Sequence, residues 1–510
     1  MQTRLFASLA LALSLSSPLT AEPVRSFDAA SAGPAEVARE ARASRPGALF
    51  RIKGLRGAGG ESLTFALERA RLFTAGFHLY VDGQDRGQEA LAGITQLRGT
   101  VEEWPRSSVA LTLNGATGAW SGYIIADGRF YEVSLPAGLP PGSIAKSAVI
   151  RPVEIEPLGK SFQSDDLRPP AGLVEKKKAA PPVVPPGAEY EAALAIDTDY
   201  ELLARFGGVQ PTVDYIASVI GGVSELYFRQ LGVSLTVSSL YLYTTPNDPW
   251  NAPNPHSGEN ADVLCEFASY WQRLRPVKTY PRNGAVFFTG KDSNDIGGQA
   301  WRSSLCQYDS RPSACPYGGY GIIVVTERRS RDVLVTAHEL GHIFGSPHTH
   351  CYQPPIDECH SGEGGCYEGP ESTPEDGGSV MSYCSPVNLS MGEPGRYGVD
   401  SQRVEEVIRG LVESVGPACL KVTGDPFDVT AEAAPGSATL SWADPFSGET
   451  NWLVEQRQSN GKYKQVKSLP ANTTSVTLTK LKRGTNTFRL RAKFKKSFSV
   501  YSQLVNVTVP

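Results

Sequence analysis

"HELGHIFGSPH", residues 338–348, places three of the chain's seven histidines within eleven positions, with a glutamate beside the first. On a helix, residues four apart share a face, so His338 and His342 present their imidazoles one above the other and can grip one metal ion. Glu339 projects from the adjacent position, close enough to reach a water on that ion without being a ligand. Asp332 offers a cap for a helix running through residues 333–345. Gly345 can enter the left-handed conformation that ends helices, and Pro347 cannot continue one, so the chain turns there and swings His348 back toward the helical pair. Three neutral nitrogen ligands with a fourth position open describe catalytic rather than structural zinc, which lowers the pKa of a bound water to about 7. One Zn2+ ion is the expected cofactor, and calcium is left open. The five fixed positions of HExxHxxGxxH arise by accident in roughly one such chain in 100,000, which sets aside a chance cluster of surface or core histidines. His78, His256, His350 and His360 fit no metal spacing and are read as ordinary packed or surface residues.

Beyond this stretch, 510 residues are too many for one hydrophobic core, and several domains are expected. A net charge of -4 with 20% charged residues is too small to imply an acidic tail or a nucleic-acid binder, and no nucleic-acid partner is expected. "MQTRLFASLALALSLSSPLTAEP" has a basic residue, an apolar run and small residues up to Ala21, the layout of a secretory signal, so residues 1–21 are read as a cleaved leader. No later run reaches the roughly 20 apolar residues a bilayer needs, so no membrane span is expected and the mature chain should be secreted. In an oxidising compartment the eight cysteines, all between Cys265 and Cys419, read as disulfides whose pairing stays open among 105 possibilities.

Residues 22–168 alternate short apolar runs with Asp-Gly and other glycine turns ("HLYVDGQ", "SSVALTLNG", "SGYIIADGRFYEVSL") and read as a β-rich domain. Residues 169–189 are a Pro/Lys-rich linker in which Lys176–Lys178 lie open to a processing protease. Residues 190–421 alternate helices ("PTVDYIASVIGGVSELYFRQLG", "DVLCEFASYWQRL", "DSQRVEEVIRGLVESVG") with strands ("VSLTVSSLYLYTT", "GAVFFTG", "YGIIVVTE"), which predicts an α/β domain on a largely parallel sheet. Residues 424–510 carry about seven short alternating strands and predict a β-sandwich.

The full motif resembles the metzincin zinc endopeptidases, whose HExxHxxGxxH is followed by a methionine turn, here "GSVMSYC" with Met381. "ALAIDTDYELLARFGG", "IGGQAWRSSLC" and the cysteine-rich interval Cys351–Cys384 resemble the adamalysin (reprolysin) group over residues 190 to 421, and the pattern from "LRGTVEEWP" to "RFYEVSL" is similar to its prodomains. The resemblance implies a mixed, mostly parallel sheet, zinc on His338, His342 and His348, Glu339 as general base, Met381 as an apolar floor, and protein or peptide substrates. It also implies that Gly298–Trp301 is the sheet edge on which an extended substrate adds. Two departures stand out: Thr349 follows the third histidine where the group has aspartate, and "SVMSY" looks like the turn of serralysins and astacins. In those families the turn tyrosine approaches the zinc, so Tyr383 is either a fifth ligand and oxyanion support or a packed tyrosine holding the turn.

The last domain resembles a fibronectin type III module, with Trp442 at its buried tryptophan and "FRLRA" as its sixth strand, but Asn486 or Thr487 stands near the place of its corner tyrosine. Its excess of roughly six positive charges offers contact with an acidic extracellular surface or matrix, or is a solvated face. The expectation is a secreted zinc endopeptidase made as a zymogen. Residues 22–264 contain no cysteine, so its latency cannot use a prodomain thiol. The alternative is a secreted adhesion or binding protein with a vestigial protease domain.

Overall fold

A computed structural model of the chain describes residues 24–88, 93–126, 129–155, 158, 166–168, 184, 188–252, 262–293, 296–309, 313–375, 377–385, 387, 389–391, 402–423, 427, 429–495 and 497–510. The expected leader, Lys176–Lys178 and His256 lie outside these residues.

Alternation in the N-terminal part produces an eight-stranded sheet from Arg25–Asp28 to Val149–Val153, all antiparallel except its first pair. One face is covered by the helix Pro34–Ala43, which buries Val37, Ala38 and Ala41. One hairpin leaves this sheet. Phe73–Val81 adds in parallel to Val233–Leu242 and extends the sheet of the following domain.

That second sheet is mixed and mostly parallel. Glu189–Thr198 pairs in parallel with Val233–Leu242 and with Gly284–Thr289, which pairs in parallel with Tyr320–Val324. Gly298–Trp301 lies antiparallel to Tyr320–Val324, and Asp166–Leu167 closes the order on its outer edge. Buried on both faces, these strands read as near-continuous apolar runs, as parallel sheets do.

The helix Val209–Leu231 is apolar around most of its circumference because it lies between the two sheets, packing on Val233–Leu242 and on Trp104–Asn114. Gly221 and Gly222 permit the approach: a Cβ on Gly221 would come 2.5 Å from the Gln96 amide, and one on Gly222 2.7 Å from the Tyr123 ring. Two helical glycines cost about 1 kcal/mol each, which the close contact offsets. Polar seams cross the same junction, from Ser108 to Glu225 at 3.0 Å, Asn114 to Asp214 at 2.8 Å and Arg329 to Glu132 at 3.2 Å. Leu72, Phe77, Leu79, Tyr123 and Phe130 therefore share one core with Val213, Val223 and Val237. The β-rich region and the helix-containing region, separate by sequence pattern, share a sheet and a core.

Four disulfides staple the second region: Cys265–Cys315, Cys306–Cys419, Cys351–Cys366 and Cys359–Cys384. The closing helix Gln402–Cys419 breaks at Gly416, whose φ of 44° precedes Pro417. The C-terminal residues form a three-stranded and a four-stranded antiparallel sheet around Trp452, Trp442, Phe427, Phe488 and Leu490. Asn486 is buried there, and its amide nitrogen donates to the carbonyls of Lys482 and Gly484, 2.8 and 3.0 Å away, pinning the corner where a tyrosine was expected. No helix among the described residues is long and apolar enough to cross a membrane.

Candidate metal centre

The helix Arg329–Ile343 enters from the strand Tyr320–Val324 and carries His338, Glu339 and His342. It starts three residues before the expected cap. Arg328 occupies the N-cap position, and Asp332 sits in the first turn. Its carboxylate accepts instead from the backbone N–H of Thr326 (3.0 Å) and of Glu327 (3.1 Å), and from the Thr326 hydroxyl (2.8 Å). Asp332 thus braces the strand-to-helix connection, and it also accepts from the Tyr215 hydroxyl of the helix Val209–Leu231 at 2.5 Å. At the other end Gly345 has φ 111°, and a Cβ there would be 3.2 Å from Leu411.

That bend returns His348 to the helical pair. Nε2 of His338 lies 3.1 Å from Nε2 of His342 and 3.3 Å from Nε2 of His348, and all three side chains are fully buried. These approaches are not hydrogen bonds, because each ring's proton is held at Nδ1. His338 Nδ1 donates to the Val380 carbonyl (2.7 Å), His342 Nδ1 to the Ser346 carbonyl (2.8 Å) and His348 Nδ1 to the Glu363 carboxylate (2.7 Å). Carbonyls and carboxylates only accept, so each Nε2 of a neutral ring is a lone pair aimed at the common point. Two bonds of about 2.0–2.1 Å at a tetrahedral angle set donors roughly 3.3 Å apart, which is the spacing seen. The donor set fits a zinc ion.

Met381 is fully buried against the motif helix. A Cβ on Gly341, inside the motif, would fall on the Met381 sulfur, so the helix glycine makes room for it. Thr349, where the resemblance leads one to expect aspartate, ties the turn to the third histidine. Its N–H donates to the Met381 carbonyl at 3.0 Å and its hydroxyl to the same oxygen at 3.2 Å. The Tyr383 hydroxyl stands 3.0 Å from His348 Nε2, beside the point where the lone pairs meet, while its ring packs against those of His348, His350 and His360.

Glu339 is buried, and its carboxylate faces the strand Gly298–Trp301. A Cβ on Gly298 would be 2.5 Å from Glu339 Cγ and Oε1. The strand's outer edge carries Asp166–Leu167 in parallel. The Arg302 N–H donates to the Leu167 carbonyl at 2.9 Å, the Arg302 guanidinium pairs with Asp166 at 2.7 Å, and Arg168 donates to the Gly364 carbonyl at 3.2 Å.

Of the histidines assigned to no site, His78 pairs with Asp85 on an exposed hairpin. His350 and His360 are instead drawn to the centre, their rings 5.3 and 5.1 Å along from His348 and from each other. Sequence reasoning also missed Glu363. Partial burial by itself would raise the Glu363 carboxyl, but hydrogen bonds from His348 and His350 outweigh it and hold the group far below the usual carboxylate range. The signal for these residues was their place in the cysteine-bracketed interval, without any regular spacing.

Residues 188–391 match the family model Reprolysin_5, described as metallo-peptidase family M12. Over 203 residues the chain is 26% identical to the "Disintegrin and metalloproteinase domain-containing protein adm-2" of Caenorhabditis elegans, covering 39% of this chain and 19% of that protein's length. Among solved structures, chicken CNTN1 FN1–FN3 domains (14% identity, 16% of this chain and 29% of that one) and titin domains A168–A170 (23% identity, 17% and 32%) align with a TM-score of 0.15, too low to carry an argument. The motif, the histidine geometry and the family match fall on one segment, and residues 188–391 are similar to an adamalysin (reprolysin)-like metallopeptidase of family M12.

Proposed function

We propose that the protein is a secreted zinc-dependent endopeptidase made as a zymogen. The observation that carries the reading is the convergence of three buried, tautomer-fixed imidazoles beside a buried glutamate at a sheet edge. Zinc, when bound there, supplies Lewis acidity that polarises a scissile carbonyl and acidifies a water. His338, His342 and His348 hold it, Met381 floors it, and the Tyr383 hydroxyl is placed to donate to a developing oxyanion. Glu339 takes a proton from the attacking water and returns it to the leaving amine, its ionisable oxygens directed by the packing against Gly298. An extended peptide is held by main-chain hydrogen bonds along Gly298–Trp301, which selects proteins and peptides as substrates.

Latency follows from occupancy of that edge. Asp166–Leu167, upstream of the linker, takes the position a substrate strand needs, fastened by Arg302. Secretion is supported by the leader-like first 21 residues and by four disulfides. The C-terminal sandwich, read as fibronectin type III-like, serves contact with an extracellular surface or matrix. The test is a casein or gelatin digest by the protein after cleavage in the linker and removal of the N-terminal region. Glu339→Ala should lower the rate by about 100- to 10,000-fold with zinc still bound, and a chelator should stop the parent. Substantial cleavage by the variant would remove Glu339 as the base.

A further inference from the structure

His338 and His342 are oriented by main-chain carbonyls of Val380 and Ser346, which the turn and the helix end supply whatever side chains stand there. The Nδ1 of His348 is met by a different kind of group. Its partner is a side chain, Glu363, fifteen residues further on. The geometry points to Glu363 as the positioning residue of the third metal ligand, a role that rests on the zinc reading of this site.

Three features prepare Glu363 for it. A single carboxylate oxygen, Oε2, receives both His348 Nδ1 at 2.7 Å and His350 Nε2 at 3.0 Å, so the carboxylate is fixed from two sides. His350 is itself fully buried and stacked parallel to His348, and its carbonyl accepts from the Tyr367 N–H at 3.0 Å. The loop that carries Glu363 is closed by Cys351–Cys366, which anchors it directly behind the ligand. A carboxylate on Nδ1–H fixes the tautomer as a carbonyl does, and adds a negative charge that makes Nε2 a stronger donor. Thr349, the residue next to the ligand, is turned to the Met381 carbonyl and leaves this task to Glu363.

The test is zinc affinity of the full chain, measured by competition with a chromophoric chelator, with thermal unfolding of the metal-free proteins as the control for folding. Glu363→Ala should bind zinc roughly 10- to 100-fold more weakly, and Glu363→Gln, which keeps an acceptor but loses the charge, should fall between it and the parent. A cobalt-substituted Glu363→Ala should also show an altered visible spectrum, which a loop that merely stabilises the fold would leave unchanged. If Glu363→Ala does not fold, Glu363→Gln decides: weakening by about threefold or more supports the assignment. A smaller change in either folded variant overturns it. A parent chain that fails to bind zinc overturns the site reading itself, and the assignment of Glu363 with it.

Discussion

Replacing Gly298 with alanine separates the proposed role of Glu339 in proton transfer from the proposed role of the three histidines in holding the metal. The added carbon would stand 2.5 Å from Cγ and Oε1 of Glu339 and 2.7 Å from its Cδ, whereas ordinary contact begins near 3.4 Å. One partner must withdraw by about 0.9 Å. The strand is held along one edge by Tyr320–Val324, a pairing that remains when the N-terminal region is removed, so its backbone resists, and the glutamate side chain gives way. A misplacement of about 1 Å costs on the order of 100-fold in rate, or roughly 2.7 kcal/mol in the barrier. The assay is kcat/KM on a quenched peptide after removal of the N-terminal region, alongside zinc content and the unfolding midpoint. Alanine should lower kcat/KM about 100-fold while zinc stoichiometry stays at the parent's value, since none of the three imidazoles is among the nearest neighbours of that position. A variant within about fivefold of the parent would refute the claim that the edge strand sets the position of Glu339.

Cleavage within the linker should leave the N-terminal fragment bound. Phe77, Leu79 and Val81 of the shared strand are each worth roughly 1.5–3 kcal/mol of burial, and fragments that separate on size-exclusion chromatography in physiological salt would disprove it. Such a cut should also leave activity low, because Asp166–Leu167 lies on the N-terminal side of it. Mercurials or alkylating reagents should not activate the precursor, because all eight cysteines are paired; a burst of hydrolysis on such treatment would contradict the latency reading.

The part of this protein legible in its sequence is what local geometry dictates. The four-residue interval of His338 and His342, the left-handed turn at Gly345 and the alternating strands each depend on backbone conformation over a few residues. The family likeness that placed Met381 also comes from a short pattern. Asp332 shows the limit even there: a capping residue type was present, but its carboxylate found better-placed donors in Thr326 and Glu327.

Tertiary structure alone decided the rest. Glu363, His350 and His360 reach the centre because Cys351–Cys366 and Cys359–Cys384 fold their loop back, and one pairing among many cannot be read from composition. The need for glycine at 298 appears only when Glu339, forty-one residues away in the chain, is packed against it. The need for glycine at 221 and 222 appears only with the N-terminal sheet laid on them, where a Cβ would meet Gln96 and Tyr123. The parallel pairing of Phe73–Val81 with Val233–Leu242 joins two regions whose patterns differ, and Asp166–Leu167 crosses to the far edge of the same sheet. Such contacts arise from closing long loops around a common core, where the energy belongs to the pairing of distant surfaces and leaves no periodic trace in either segment.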